Sequence, residues 1–582
     1  MRSSTSGKFL SVLCVLCGSS FFAAALDREA FTVTKYDLQV TIEPRQQRLG
    51  ARGKITLRND STQPQKVVAL QISSSLSWRA IRAADKPLQF VSQPFTSDID
   101  HTGALSEAIV TLPAEIKPKD SIELEVGYEG VIALDATRLL RVGVPDAIAK
   151  HTSWDHIGAT FTAVRGAGYV TWYPITTESA DFSEGNSLFE VTDRWRARAA
   201  TGEMIVNLCV SQPSDEQQTA AMGDVIHGIR PASVGKTASL SNECLEHKFD
   251  PVGTVTPSLI AARFERQAKS LIEVFFLPGH ESGADVYLRA VDPAVAFVAE
   301  WFGKPATPIR IADFADPHAA PFESGTLLMA SMEDSDTKLA GINLVHELTH
   351  SALSSARPWV YEGLAHFAEA AYREQQGGRD AALNWLGAHL AALVDAEKDV
   401  PGGSGRDIAA PLGSSFDEVY YRTKAAYVWW MLRDMVGDDV LKAAIAKYRA
   451  EDDKDPKYVE ALIEAASKRD LGWFFDDWVY RDRGLPEVRV QSAHAWADDK
   501  PGGGKRVQMI TVTLENTSAV GAEMPFTVRC GGNDVTRRLE VRAKSVATMR
   551  VDLPSTPLEV VVNDSSVPES DTSSNVFKVP AQ

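Results

Sequence analysis

Alternating apolar and polar residues mark the two ends of the chain, and helical spacing marks its middle. The stretches Tyr36-Asp37-Leu38-Gln39-Val40-Thr41-Ile42, Gly53-Lys54-Ile55-Thr56-Leu57 and Ser121-Ile122-Glu123-Leu124-Glu125-Val126 place an apolar side chain at every second residue. That is the period of a strand with one buried face. Residues 27 to about 200 therefore predict a half-buried antiparallel sheet, continued by the strand Met204 to Val210. From Val286 to Phe302 the spacing becomes helical, Gly325 to Ala330 predicts a strand, and Tyr420 to Val436 predicts a helix stopped by Gly437. Residues 376–415 read as helical but carry a linker-like Pro401-Gly402-Gly403-Ser404-Gly405. Alternation returns in Met509 to Leu514 and Leu558 to Val562, which predicts a small β-sandwich.

The expected fold is multidomain: an N-terminal antiparallel β-domain over 26–266, a mostly α-helical domain over 267–487 and a C-terminal β-sandwich over 488–563. Residues 564–582, rich in Ser, Asp and Pro, predict a flexible tail. Residues 1–25 carry Arg2 and Lys8, then an apolar run ending in Ala23-Ala24-Ala25. This predicts a secretory signal peptide and export to the periplasm or the extracellular space. The alternative, an N-terminal anchor, suits the run less well, because it is short and interrupted by Gly18, Ser19 and Ser20.

Composition narrows the partners. A net charge of −17 with no basic block argues against nucleic acid or an anionic membrane surface. No other apolar run reaches about 18 residues, so no stable membrane insertion is expected. Outside the leader the cysteines are Cys209, Cys244 and Cys530. Cys209 and Cys244 could pair and leave Cys530 over, or all three could be buried thiols.

Chemistry concentrates in residues 341–370, GINLVHELTHSALSSARPWVYEGLAHFAEA. On a helix His346 and His350 are one turn apart on one face, so two imidazoles can reach one cation. Glu347 lies beside them. Zinc lowers the pKa of a bound water to roughly 7 and a neighbouring carboxylate can take its proton, so His-Glu-x-x-His supplies two ligands and a general base. Pro358 predicts the start of a second helix after a turn near Ser355 to Arg357. In such a hairpin Glu362 lies opposite His350 and is the natural third ligand. Glu369 would sit about 10 Å further along and serve as a supporting group on the same face. His366, one turn beyond Glu362, reads as a supporting or core histidine, because a catalytic zinc needs an open position.

The stretch resembles the gluzincin metallopeptidases. Glu362-Gly363-Leu364-Ala365, followed by Glu369, is similar to the Asn-Glu-Gly-Phe-Ala segment of the membrane-alanyl-aminopeptidase family, whose Glu is the third zinc ligand. The chain departs from that class in having eleven residues between His350 and Glu362; its eighteen-residue gap leads to Glu369 instead. The likeness continues in Gly127-Tyr128-Glu129-Gly130, Trp172-Tyr173-Pro174, Ala299-Glu300-Trp301-Phe302-Gly303, and Trp473 to Trp478 with Gly484-Leu485-Pro486.

The resemblance implies a thermolysin-like catalytic domain, one Zn2+ ion, a peptide substrate and removal of N-terminal residues. It also implies an edge strand beside the metal that pairs with the substrate backbone, and a carboxylate that holds the free ammonium. The family's Gly-Ala-Met-Glu-Asn Glu corresponds to Glu323, where only the Glu agrees; Glu333 is the alternative, on the other side of the predicted strand. Tyr421 is similar to the tyrosine of a Tyr-x-Lys-Gly-Ala helix, which donates to the oxyanion, with Tyr420 in reserve. The register is off by one, since Arg422 stands two before Lys424. An endopeptidase, a glycyl-type aminopeptidase and a non-catalytic secreted binding protein are the alternatives.

Overall fold

The structure, a computed structural model, describes residues 26–580 apart from 97–103, 142, 178–197, 212–217, 223–224, 230–241, 250, 254, 334, 399–410, 416–418, 482 and 499–506. The leader and the Pro401 to Gly405 linker lie outside the described residues. Among those described, no helix is long and apolar enough to cross a membrane.

In the N-terminal region Tyr36, Leu38, Val40 and Ile42 all point into the core, as the alternation requires. Their strand, Phe31–Glu43, forms a hairpin with Arg48–Asn59 inside a seven-stranded sheet. One pairing corrects the antiparallel expectation. Phe31–Glu43 runs parallel to Glu203–Ser211, with Lys35 to Ile42 opposite Glu203 to Val210. A parallel neighbour needs a long connection, and more than a hundred residues separate these two strands. A three-stranded sheet of Gln65–Ser73, Ala104–Ile116 and Phe90–Thr96 shares the same core. Cys209 and Cys244 sit opposite each other on adjacent antiparallel strands, Cα atoms 4.1 Å apart, and form a disulfide; Cys530 is a buried free thiol.

The middle of the chain opens with a five-stranded sheet, Glu265–Lys269, Ile272–Phe276, Ile309–Ala312, Leu327–Met329 and Phe322–Ser324, in that order. The strand expected over Gly325 to Ala330 is therefore the inner strand Leu327–Met329. The edge is Phe322–Ser324, which turns back through a two-residue loop where Gly325 takes φ +62°. Helix Glu281–Trp301 buries Tyr287, Val291, Ala294 and Val298 in the core it shares with Ile272, Val274 and Ile311 of this sheet. The helical hairpin Thr337–Ala352 and Pro358–Gly377 follows, with Pro358 opening its second helix.

Val419–Lys424 is a π-helical turn that continues as the α-helix Ala425–Val436. It crosses the second hairpin helix so closely that a Cβ on Gly363 would lie 2.6 Å from the Cβ of Ala425. Only glycine fits there. Trp429 stacks on Trp359 with ring centres 5.2 Å apart, and Trp429 and Trp430 are both buried in the core.

Two sheets of three and four strands form the C-terminal sandwich, whose core is continuous with that of the helices. Residues beyond Asp564, expected to be loose, are packed instead. Ser566, Val567, Glu569 and Asn575 are buried, and Val576–Lys578 pairs with Pro557–Val562. Their polarity is used internally: the carboxylate of Glu569 accepts from Val488 N and from the side-chain amides of Asn563 and Asn575.

Candidate metal centre

Helix Thr337–Ala352 starts at Asp336, whose side chain accepts from Lys338 N at 3.1 Å, and carries His346 and His350 on its buried face. Their Nε2 atoms lie 3.1 Å apart. Two imidazoles holding one zinc at roughly 2.0–2.1 Å with tetrahedral angles would be separated by about 3.3 Å, so the pair is already spaced for one ion. The hairpin brings Glu362 across: its Oε2 is 3.7 Å from His346 Nε2 and its Oε1 is 3.8 Å from His350 Nε2. A fourth side chain joins them, with Glu323 Oε2 3.0 Å from His346 Nε2. The candidate ligand atoms of these four residues all lie within 4.8 Å of one another.

Glu369 takes the other side of the first imidazole. Its Oε1 is 2.7 Å from His346 Nδ1, its Oε2 accepts from Trp385 Nε1 at 2.9 Å, and His366 Nδ1 is 3.4 Å away. A carboxylate on Nδ1 fixes the tautomer that leaves Nε2 to bind a cation. The geometry thus separates the two glutamates the hairpin offers. Glu362 faces the Nε2 atoms, and Glu369 with His366 stands behind them.

Glu347 is 1% exposed, and among the described residues neither of its oxygens has a hydrogen-bond partner; buried Glu362 Oε2 likewise makes no hydrogen bond there, only the longer ion contacts. Buried unpaired carboxylate oxygens are costly unless something polar meets them. Two imidazoles and a carboxylate are the donor set of a catalytic zinc, so these residues fit the ion that the motif implies.

The charges confirm how tightly the groups interact. Burial works against ionising Glu347, and the negative Glu323 adds to it, so its pKa lies well above the usual carboxylate range. Burial and Glu323 likewise push Glu362 up to about 8. Burial opposes charge on His346, but Glu323 and Glu369 outweigh it and raise its pKa. Burial and the neighbouring His346 depress His350.

Glu323 is delivered from outside the hairpin, by the edge strand Phe322–Ser324. That strand is pinned to the N-terminal region on both sides of Glu323. Ser324 Oγ donates to Thr256 O and accepts from Thr256 N, each at 2.9 Å, and the ring of Phe322 meets that of Trp154 at 6.0 Å. Glu333 is exposed and outside the cluster; its N–H donates to Ser331 Oγ at 3.3 Å.

Two residues at the centre were not singled out by the sequence. Tyr361 stacks on His350, ring centres 3.8 Å apart at 19°. Arg422 Nη2 lies 3.5 Å from Glu323 Oε1 and its Nε 3.9 Å from Glu362 Oε2. Tyr421, next to it, is buried, with the Arg422 guanidinium 5.8 Å from its ring centre. The available signal for Arg422 was its place two before Lys424. For Tyr361 there was only its position beside Glu362.

No protein-family model matches the chain, and no curated protein matches it in sequence. Among solved structures the chain is similar to Legionella pneumophila aminopeptidase A in complex with aspartic acid, with a TM-score of 0.57 and 13% identity, over 93% of this chain and 59% of that one. An M1 zinc metallopeptidase from Deinococcus radiodurans aligns at a TM-score of 0.47 and 15% identity, over 75% of this chain and 91% of that one. The first likeness establishes a shared fold, with β-sheet domains flanking a helical one.

Proposed function

We propose that this chain is an exported zinc-dependent peptidase, a divergent relative of the membrane-alanyl aminopeptidases, that removes residues from the N-termini of peptides. One observation carries the reading. His346, His350 and Glu362 converge on one point with the unpaired carboxylate of Glu347 beside it. A bound zinc ion would supply Lewis acidity toward water and toward the substrate carbonyl. His346, His350 and Glu362 hold it, and Glu369 keeps His346 in the binding tautomer.

Glu347 takes the proton of the attacking water and returns it to the leaving amine. Glu323 carries the carboxylate that meets the free ammonium, and the edge strand bearing it offers backbone groups to an extended peptide. The ammonium preference is supported by Glu323 lying at the cluster and Glu333 outside it.

An endopeptidase is the second reading. The Arg422 contact with Glu323 favours it, since a cation already beside that carboxylate competes with an ammonium.

Hydrolysis of matched free and N-acetylated peptides by the purified chain, with Glu347→Gln and a chelated sample as controls, tests both. Cleavage of free peptides alone, lost in both controls, is the expected result. Equal cleavage of the two sets supports the endopeptidase. No cleavage by zinc-loaded, folded protein on a broad panel overturns the enzyme reading in favour of a binding protein.

A further inference from the structure

We infer that Arg422 is the catalytic residue that stabilises the negative charge developing on the carbonyl oxygen of the scissile bond, an inference that rests on the peptidase reading. The guanidinium bridges the third ligand, Glu362, and the edge-strand carboxylate, Glu323, at 3.9 and 3.5 Å. Its side chain is 35% exposed, against 23% for Glu323 and 14% for Glu362, so it is the most open of the three. Both contacts are longer than the roughly 2.7–2.9 Å of a strong charge-assisted hydrogen bond.

The position is built rather than incidental. Arg422 sits in the π-turn Val419–Lys424, and that turn is fastened at its end by the fully buried ion pair of Lys424 with Glu397. The helix it leads into is fixed against the glutamate helix by the close approach at Gly363 and Ala425. A π-turn holds one residue more than an α-turn and re-aims the side chains it carries. Here it aims a permanent cation at the metal centre. The neighbouring Tyr421 is a neutral donor with 8% exposure. A guanidinium gains more from a charge that appears only in the transition state.

In the step concerned, the water oxygen bonds to the carbonyl carbon as the carbonyl π pair moves onto its oxygen, and the water proton passes to Glu347. Arg422 donates hydrogen bonds to that oxygen and transfers no proton. The pair then reforms the carbonyl, the C–N bond breaks, and the proton held by Glu347 goes to the amine.

The test uses the zinc-loaded full chain as wild type, Arg422→Gln, Arg422→Lys and Tyr421→Phe. Two readouts are made: kcat and KM on a cleaved peptide, and calorimetric affinity for a phosphinic dipeptide, whose anionic tetrahedral centre mimics the adduct. Arg422→Gln should lower kcat by about 10²–10³ with KM within about threefold, and weaken the phosphinate about 10²-fold. Arg422→Lys should fall between, and Tyr421→Phe should stay within about threefold on both readouts. Loss in Tyr421→Phe with Arg422→Gln and Arg422→Lys unaffected overturns the inference and leaves the peptidase reading intact. Wild type that holds zinc yet neither cleaves peptides nor binds the phosphinate overturns the peptidase reading, and the inference with it.

Discussion

Replacing Glu369 by leucine should loosen zinc without touching any ligand. Glu369 is buried and its two oxygens serve His346 Nδ1 at 2.7 Å and Trp385 Nε1 at 2.9 Å. Losing an outer carboxylate on a ligand histidine commonly weakens metal binding 10- to 100-fold, or about 1.4–2.8 kcal/mol. The upper part of that range applies here. The bond to His346 is short and buried, and Glu369 favours charge on His346, so its loss lowers the basicity of the ring as well as its order.

Leucine also strands the buried Nδ1–H of His346, at about 1–3 kcal/mol, and removes the acceptor of the half-buried Trp385, and should lower the Tm of the metal-free protein. Glutamine keeps one acceptor and should lie between wild type and leucine on both measures. Competition for zinc against a chromophoric chelator, at a pH where all variants are folded, gives the affinities directly. A folded Glu369→Leu protein that binds zinc within about threefold of wild type would refute the reasoning, and would move Glu369 from a supporting to a merely structural place.

Tyr361→Ala removes the ring stacked on His350, whose Nδ1 has no hydrogen-bond partner among the described residues, and should weaken zinc about tenfold, whereas Tyr361→Phe should not; the same competition assay decides. Glu397→Ala leaves the 1% exposed Lys424 without its carboxylate and should destabilise the fold by about 3–5 kcal/mol, read as a lowered Tm; an unchanged Tm would show that the pair does not fasten the π-turn. Glu569 is pushed by burial from the ordinary 4.5 up to about 7. A raised folded pKa contributes stability that is full below about 4.5 and is lost as pH rises through about 7. Glu569→Ala should therefore lower Tm more at pH 5 than at pH 8, and the opposite order counts against this assignment.

The zinc motif was legible because it is local. Helical spacing alone aligns His346 with His350, and the symmetry of a short hairpin picks Glu362 ahead of Glu369. The strands of the sheets were legible from period two. What escaped depends on contacts distant in sequence or on a broken period. The parallel ladder of Phe31–Glu43 with Glu203–Ser211 leaves no mark on either strand. The edge position of Phe322–Ser324 follows from sheet order, which a three-residue strand cannot announce. Arg422 was hidden because an α-helical reading of Tyr420 to Val436 assigns faces wrongly across a π-turn. The packed C-terminus was hidden because Ser, Asp and Asn read as solvated, and nothing in the sequence tells that Asn563 and Asn575 donate to a buried Glu569.

The strand bearing Glu323 ties the candidate metal centre to the region that precedes it. Its flanking residues are fastened to Thr256 and Trp154, so the hand that would receive a substrate's ammonium belongs to the catalytic region but is held steady by the region before it. A fragment beginning near residue 267 would keep the three proposed zinc ligands and lose that fastening. On the proposed reading, discrimination between free and blocked peptides then depends on the earlier region as well as on the hairpin that holds the candidate metal ligands.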